Sequence, residues 1–396
     1  MPAASSLAAL LISVFVLITG NGVLNTLVPL RTKLDGFPEL AIGLVGSAYF
    51  GGMLLGSFLS AAVLRRLGAK FAFVVFAGMT IVSAILFPLA ESPLSWMALR
   101  ALLGFAFAGL YAVLEAWLNA RSNNSNRGGV YALYQMVTFG GSAAGQEIIA
   151  TMKPQADVLF AIAALCLAAA IVPILLTRGS VPRVSRSVSL QLRWMARLSP
   201  IGTVSAACIG AANGNFYALA PVYGLGLGLS SAHVATFMTA TIMGTALAVY
   251  PVARLSDGHD RRLVLTVFSA IGILAESMLA MTSHGSMLLI SCLGLSIGAS
   301  TMVLYTVAIS HVNDRAGPDN GVEVSSTMLF LYCVGAIVGP AVGSVGMAWF
   351  GPAALFVQNA AVHAALVGFT VWHLVCRDGW MPVLPRLRRP LGRLRA

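Results

Sequence analysis

Four ionisable side chains stand within long apolar stretches of the sequence: Arg100, Glu115, Glu147 and Glu276. A charged group in such a stretch is costly unless it is paired, protonated or reached by water. We therefore expect each of these residues to form an ion pair or to have a chemical role of its own. A glutamate could carry a proton, and the guanidinium of Arg100 could recognise an anion with its planar fork. The depth of each residue in its helix decides between these chemistries.

The composition indicates an integral membrane protein. Of the 396 residues 58% are hydrophobic and only 9% are charged, whereas soluble domains carry roughly 25% charged residues. The net charge of +11 lies mostly in short loops between apolar runs, so the bilayer rather than nucleic acid is the expected partner. All five cysteines fall inside apolar segments without a CxxC motif, and neither a disulfide framework nor a metal site is predicted.

Twelve stretches are long enough to cross a bilayer as helices. They are 7–30, 40–64, 71–90, 95–119, 128–150, 157–177, 198–222, 232–254, 263–283, 287–310, 322–345 and 353–376. No basic segment precedes the first stretch, so we interpret it as a span rather than a signal peptide. The sequence thus predicts an all-α membrane protein with twelve transmembrane helices.

Placing both termini in the cytoplasm puts most Lys and Arg residues in inner loops, as the positive-inside rule requires. The longest polar break, 178–197, is expected to be a cytoplasmic linker. It divides the chain into an N-terminal six-helix bundle, 1–177, and a C-terminal six-helix bundle, 198–376. The last segment, 377–396, is expected to be a basic cytoplasmic tail.

The two halves carry an internal repeat. A shift of 192 residues superposes Asn21 and Gly22 on Asn213 and Gly214, and Gly52 on Gly244. Shifts of 190 and 194 superpose further residues: Gly104 on Gly294, Asn123 on Asn313, Gly141 on Gly335 and Gly145 on Gly339. Because six is even, both halves start on the same side of the membrane and form parallel repeats.

Three motifs resemble those of the major facilitator superfamily. The loop 65–70, RRLGAK, is similar to the family's G-x-L-a-D-R-x-G-R-R loop but lacks its Asp, and its repeat copy 254–262 has the Asp at Asp257. Arg100-xxx-Gly104 resembles the family's R-x-x-x-G motif. A narrower resemblance, to the YcaD-like subgroup, rests on four segments: NTLVPL at 25–30, Glu115 ahead of SNRG at 125–128, Gly145-Gln146, and RLSD at 254–257.

The resemblance implies a secondary active transporter that moves a small organic solute by alternating access. It further implies coupling to a proton gradient, no cofactor, a monomer and a bacterial-type inner membrane. Efflux is slightly favoured because apolar and aromatic residues dominate the expected cavity, and proton-coupled uptake of a metabolite is the alternative. A Gly-Pro pair in span eleven rather than span five weakens an antiporter assignment.

Other classes find less support in the sequence. The chain has no GxxxxGK[ST], HExxH or GxSxG motif, which argues against a primary pump and against a membrane enzyme. A membrane sensor or scaffold with the same fold, without transport, stays the alternative from another class.

The resemblance places the cavity between spans 1, 4, 7 and 10, with help from 2, 5, 8 and 11. The expected polar and aromatic lining is Asn21, Asn25, Tyr49, Tyr111, Tyr134, Gln135, Asn213, Asn215, Tyr217, Tyr305 and Tyr332. Asn21 and Asn213, at one depth in both halves, are the best candidates for hydrogen bonds to a ligand. Adhesion between helices is the alternative for either amide.

Depth suggests roles for the charged residues. Glu115 lies about 22 Å beyond Arg100 along span four, near the inner loops, and is expected to be a latch that pairs with loop arginines. A proton or substrate carrier and a carboxylate at the lipid interface are its alternatives. Glu147 is expected either to pair with Arg100 or to face outer water. Glu276 is expected to be protonated or turned onto a neighbour, and is a candidate proton site.

The predicted gate or coupling set also contains four residues of the two repeated loops: Arg66, Asp257, Arg261 and Arg262.

The orientation can be tested with single cysteines in a background without the five natural ones. Ser187→Cys in the linker should react with a membrane-impermeant thiol reagent only after the cells are permeabilised, because positive-inside topology keeps this segment in the cytoplasm. Ser92→Cys, between spans three and four, is the matched control and should react in intact cells. Labelling of Ser187→Cys in intact cells would reverse the topology.

Overall fold

The computed structural model describes residues 2–121, 127–176, 190–282 and 286–376, and these ranges contain helices and turns but no strand. Twelve long helices follow one another: α1 Pro2–Leu34, α2 Glu39–Leu67, α3 Ala69–Leu86, α4 Pro93–Arg121, α5 Arg127–Thr151, α6 Val158–Leu176, α7 Pro200–Gly226, α8 Ser231–Gly258, α9 Arg261–Met281, α10 Met287–Ala316, α11 Gly321–Phe350 and α12 Ala354–Cys376. The predicted twelve-helix membrane fold is confirmed.

Ten of these helices are long and apolar enough to cross a membrane. The other two, α5 and α7, are equally long but more polar, and both contribute side chains to the interior of the bundle. Large apolar side chains such as Leu55, Leu165 and Leu274 are exposed on the outside of the bundle, where lipid tails would solvate them.

Helix ends follow local signals in the chain. The predicted start of span seven at 198 shifts to Pro200, because Ser199 caps α7 by accepting a hydrogen bond from the Gly202 amide at 3.1 Å. A separate short helix, Leu192–Leu198, precedes it within the predicted linker. Gly68 separates α2 from α3 with φ 74°, a conformation that favours glycine. The predicted tail, 377–396, and most of the linker lie outside the described residues.

Backbone contact between glycines and carbonyl groups joins the crossing helices of each half. A Cβ atom added at Gly52 of α2 would lie 1.9 Å from the Ala101 carbonyl oxygen of α4, and one at Gly244 of α8 would lie 2.0 Å from that of Leu295 in α10. Such positions admit only glycine, which lets two helix backbones touch. The same contact at both places confirms that the halves are copies of one packing scheme.

A second set of glycines makes the equivalent contact between α1 and α5 and between α7 and α11. A Cβ atom at Gly145 would approach the Thr19 carbonyl oxygen to 2.7 Å, and one at Gly339 would approach that of Ala211 to 2.1 Å. Helices α1 and α2 therefore correspond to α7 and α8 at a shift of 192 residues, whereas α4 and α5 correspond to α10 and α11 at a shift of 194.

One predicted repeat pair requires correction. Gly104 touches the Tyr49 carbonyl oxygen, and the residue that makes the same contact with Thr241 is Gly298, not Gly294. At Gly294 the space beside the backbone is taken by the side chains of Phe237 and Thr241. The shift of 190 residues assumed for this pair was therefore wrong, because α4 corresponds to α10 at a shift of 194. Asn123, of the other pair at the shift of 190, lies outside the described residues.

The start of α1, the end of α12 and the loop between α2 and α3 lie on one face of the bundle, called here the terminal face, and the loop between α1 and α2 lies on the distal face. Near the distal face α2 of the first half packs directly on α7 and α11 of the second. A Cβ atom at Gly46 would lie 2.4 Å from that of Ala218, and the Ser47 hydroxyl donates to the Ile337 carbonyl at 2.6 Å. This packing closes the distal side.

The glycine contact yields a stability prediction. Gly52→Ala should lower the melting temperature of the purified protein by several degrees, because overpacking a close contact costs about 1–3 kcal/mol. The matched control is Gly51→Ala on the same helix, where an added Cβ meets no atom within 4 Å. The control should melt at or slightly above the wild type, since alanine favours helix. Equal melting of the two variants would contradict backbone contact at Gly52.

Candidate functional site

A cavity of about 230 Å³ lies between the two halves, towards the middle of the bundle. It is bounded by α1, α2, α4 and α5 of the first half and by α7 and α11 of the second. Its polar and aromatic lining consists of Asn21, Asn25, Tyr49, Phe50, Arg100, Tyr111, Thr138, Ser142, Tyr217 and Tyr332. An enclosed apolar surface with a few converging polar groups is typical of a site for a small molecule.

A second cavity, of about 300 Å³, adjoins the first. The two share Tyr217 and Tyr332, so these two rings stand between them. The second cavity is lined mainly by the C-terminal half, through residues of α7, α8, α10 and α11 such as Asn213, Thr245 and Tyr305. The two cavities therefore share part of their lining, and both halves contribute residues to it.

Arg100 is the only charged residue that the described part of the chain contributes to the lining of these two cavities. It is 4% exposed and lies two turns from the distal end of α4. Its Nη2 donates to Asn25 Oδ1 at 3.1 Å, and its guanidinium carbon stands 4.6 Å from the centre of the Tyr49 ring. Its Nε and Nη1 are buried without a hydrogen-bond partner. A cation thus borders the cavity while part of its donor set is unused.

The two repeated asparagines flank the cavities at corresponding places. Asn21 adjoins the hydroxyls of Tyr49 and Tyr111, and Asn213 adjoins that of Tyr332. The Oδ1 atom of each asparagine is buried without a partner. Both amides lie beside tyrosines of other helices, as adhesion between helices requires, and both keep an oxygen that could accept a further hydrogen bond, so each of the two expected roles fits these positions.

Nine of the eleven expected lining residues border one of the two cavities, and two do not. Asn215 is fully buried within the second half, where its Nδ2 donates to Asn359 Oδ1 at 2.8 Å. Tyr134 packs beside Tyr131, with ring centres 5.8 Å apart, and borders neither cavity. Each is one or two residues from a true lining residue, and one or two steps along a helix turn a side chain by about 100° or 200°.

The sequence analysis missed Thr138 and Ser142 of α5, which line the first cavity. Together with Gln135 and Phe139, which line the second, they repeat at intervals of three and four residues and so form one face of the helix. That periodicity was the available signal, although hydroxyl groups in membrane helices usually bond to their own backbone. Thr138 does so, donating to the Tyr134 carbonyl at 2.9 Å.

Glu115 is exposed, unlike Arg100 on the same helix. The hydroxyls of Tyr134 and Tyr305, which belong to opposite halves, are its neighbours. Of the four loop arginines near its level, Arg65 and Arg66 are exposed, and nothing is described of the side chains of Arg121 and Arg127. Glu115 forms no ion pair with a described side chain, so the expected latch contact is not made among these residues.

The expected pair of Arg100 with Glu147 does not form. Glu147 is exposed on α5, and it makes no ion pair within the described part of the chain. Its alternative interpretation, a carboxylate that faces water near the distal face, fits this position.

Glu276 is turned inward onto a neighbour, one of its two expected placements. Its Oε2 lies 2.9 Å from Nδ1 of His363 in α12, and both side chains are buried. Neither borders the two cavities, since α9 and α12 pack against each other on the outside of the second half. The contact gives each side chain one partner within the protein, while His363 Nε2 is buried without one.

The remaining predicted gate residues form an ion-pair cluster on the terminal face. Arg261 joins Asp257 at 3.0 Å and Asp314 at 2.5 Å, which ties the ends of α8 and α10 together. Arg262 pairs with Asp260 at 2.7 Å. Burial opposes ionisation of Asp260, but hydrogen bonds from the Arg262 side chain and backbone hold the pKa of this carboxyl below its usual range.

Comparison with known proteins gives three similarities. The sequence pattern described as Major Facilitator Superfamily matches residues 10–340. The protein named uncharacterized MFS-type transporter YcaD from Escherichia fergusonii is 29% identical over 360 residues, which cover 89% of this chain and 92% of the relative. The relative from Salmonella paratyphi B with the same name is 27% identical over 358 residues, with the same coverage.

Among solved structures, a mutant of the nucleoside transporter NupG superposes with a TM-score of 0.81 at 13% identity, over 92% of this chain and 99% of NupG. At that identity the likeness shows the fold alone. The repeat, the cavity between its copies and the match over most of the chain agree, and the protein belongs to the major facilitator superfamily of membrane transporters.

Proposed function

We propose that the protein moves a small organic solute across the membrane by alternating access, through the cavity between its halves. The observation that carries the proposal is the cavity of about 230 Å³ itself, whose polar and aromatic lining comes from both halves. When one half rocks against the other, a site shared by both becomes exposed to each side of the membrane in turn.

The terminal face is proposed to be cytoplasmic. Most of the Lys and Arg residues in the described part of the chain stand at helix ends on this face, as the positive-inside rule requires of the cytoplasmic side. On the distal face Arg31 is neutralised by Asp35 at 2.9 Å and by Asp157 at 3.0 Å, and Lys33 pairs with Glu39. With this orientation, the packing of Gly46 on Ala218 closes the outside, and Glu115 stands at an entrance from the cytoplasm.

Proton coupling and export complete the proposal. The described ranges contain no soluble domain that could hydrolyse a nucleotide, so an ion gradient is the proposed energy source. Glu115 is the proposed gate: when the cytoplasmic side closes, its carboxylate approaches the arginines of the inner loops, and protonation weakens that pairing. Export is favoured over uptake because tyrosine and apolar groups dominate the cavity.

Alternating access can be tested with pairs of spin labels. Leu40 and Trp349 lie at the distal ends of α2 and α11, and Leu67 and Ser325 lie at the terminal ends of the same helices. All four side chains are exposed. The two label distances should each show two populations, and these should change in opposite directions between acidic and alkaline buffer. Single unchanging distances at both faces would favour a sensor or scaffold without transport.

The gate assignment predicts the effect of Glu115→Gln. The variant should lower the population that is closed on the terminal face about fivefold, the value of roughly 1 kcal/mol for an ion pair that is lost. The same label pairs measure this change. Glu91→Gln, which removes an exposed carboxylate between α3 and α4, is the matched control and should leave both populations unchanged. A variant that keeps its populations but loses proton-driven flux would make Glu115 a proton carrier instead.

A further inference from the structure

The guanidinium of Arg100 lacks a counter-charge in the described part of the chain. Of the 13 Asp and Glu residues in the sequence, only Asp378 lies outside the described ranges. None of the others forms an ion pair with Arg100. Buried charges are normally paired, because removing an ion from water is costly. An anion from outside the chain would therefore supply the counter-charge that this guanidinium lacks.

Arg100 borders the cavity, and two of its donor atoms are buried without a partner. The residue lines the cavity together with Asn25, which accepts from its Nη2, while Nε and Nη1 remain without partners. The ring of Tyr49 holds one face of the guanidinium at 4.6 Å. These two contacts fix the orientation of the planar group, and a guanidinium held in this way can donate two parallel hydrogen bonds to a carboxylate.

The internal repeat shows that the fold does not require this charge. At a shift of 194 the counterpart of Arg100 in α10 is Gly294, where the side chain of Phe237 fills the space. At a shift of 192 the counterparts of Asn25 and Tyr49 are Tyr217 and Thr241. The second half thus builds the same helix packing without the cation, its amide or its aromatic partner. The three residues form a feature of one half only.

The rest of the cavity suits a compact apolar body. Besides Arg100 its wall contains Tyr49, Phe50, Tyr111 and Tyr217. The volume of about 230 Å³ suits a small organic group. Aromatic faces favour flat or apolar groups and keep a hydroxyl available for a hydrogen bond.

We propose that this cavity binds a small organic anion, with Arg100 holding the carboxylate of the ligand and the tyrosine rings enclosing its apolar part. This inference rests on the proposed function in that the ligand is the transported solute. It also adds a driving force, because the inside-negative membrane potential expels an anion, by about 2.3 kcal/mol per charge for each 100 mV. Export of such a solute therefore needs less energy from a proton gradient.

The test uses the purified full-length protein and four probes that share a phenyl ring. Benzoate supplies a carboxylate, benzamide is its neutral counterpart, and benzenesulfonate and phenyl phosphate supply other anions. At constant ionic strength, benzoate at millimolar concentration should raise the melting temperature of the wild type, and benzamide should not. A response to benzamide equal to that to benzoate, or no response to benzoate, would overturn the proposal. A stronger response to either other anion would overturn the choice of a carboxylate.

Variants assign the response to Arg100. Arg100→Gln should weaken binding of benzoate on the order of 30-fold or more, as expected for the loss of one partner of a buried charge pair. Arg100→Lys keeps the charge but not the planar group that donates two parallel hydrogen bonds, so its affinity for benzoate should lie between those of the wild type and Arg100→Gln. The matched control is Arg193→Met, which removes an exposed guanidinium from the short helix Leu192–Leu198 and should bind as the wild type does. Unchanged affinity in Arg100→Gln would overturn the proposal.

The binding experiment can be interpreted even if one variant does not fold, and its result is independent of the test of alternating access. Arg100→Gln removes an unpaired buried charge, so it should fold, and Arg100→Lys still tests the site if it does not. Binding is measured without transport, and the spin-label distances are measured without a ligand. A failure of benzoate binding therefore leaves alternating access standing, and a failure of the distance changes leaves the anion site standing.

Discussion

The arrangement of the helices depends on direct contact between helix backbones. In a membrane the hydrophobic effect does not drive helices together, so close approach and van der Waals contact must do so. Here glycines at crossing points, such as Gly52 and Gly145 in one half and Gly244 and Gly339 in the other, bring a carbonyl group of one helix against the Cα of the next. These crossings fix which faces of α1, α2, α4 and α5, and of their copies, turn towards the centre. The cavity is the space that remains between those faces.

Buried polar contacts stabilise the second half away from the cavity. Glu276 is joined to His363 and Asn215 to Asn359, and these pairs connect α7, α9 and α12. Buried atoms without a partner occur in both regions, since Asn215 Oδ1 and His363 Nε2 lack one just as atoms of Arg100, Asn21 and Asn213 do. Arg100 differs from the others in being a charged group without a counter-charge among the described residues, and burial of a charge costs more than burial of a neutral polar group.

Much of this could be predicted from the sequence, because the limits on a membrane chain are strict. The lengths of the apolar stretches predicted the helices, and the even number of helices in each half predicted that the repeats are parallel. The occurrence of an asparagine at the same repeat position, Asn21 and Asn213, predicted where the cavity lies. Helix rotation and register could not be predicted in the same way. Asn213 and Asn215 are two residues apart and so point about 200° away from each other, and no local signal tells which of them faces the cavity. The contacts of Gly104 and Gly298 are likewise needed to show that α4 corresponds to α10 at a shift of 194 residues, because Gly104 also superposes on Gly294 at a shift of 190.

The charge of the site belongs to one half, although its walls belong to both. Arg100 stands on α4, and the equivalent position of the second half is Gly294. A solute held by its charged end would therefore travel as part of the N-terminal half and keep one orientation. The C-terminal half contributes Tyr217 and Tyr332 to the lining of the same cavity. It would move relative to the bound solute and so open or close access to it. In the proposed mechanism the two halves of the duplicated fold therefore have different roles: the N-terminal half binds the solute, and the C-terminal half exposes it to one side of the membrane.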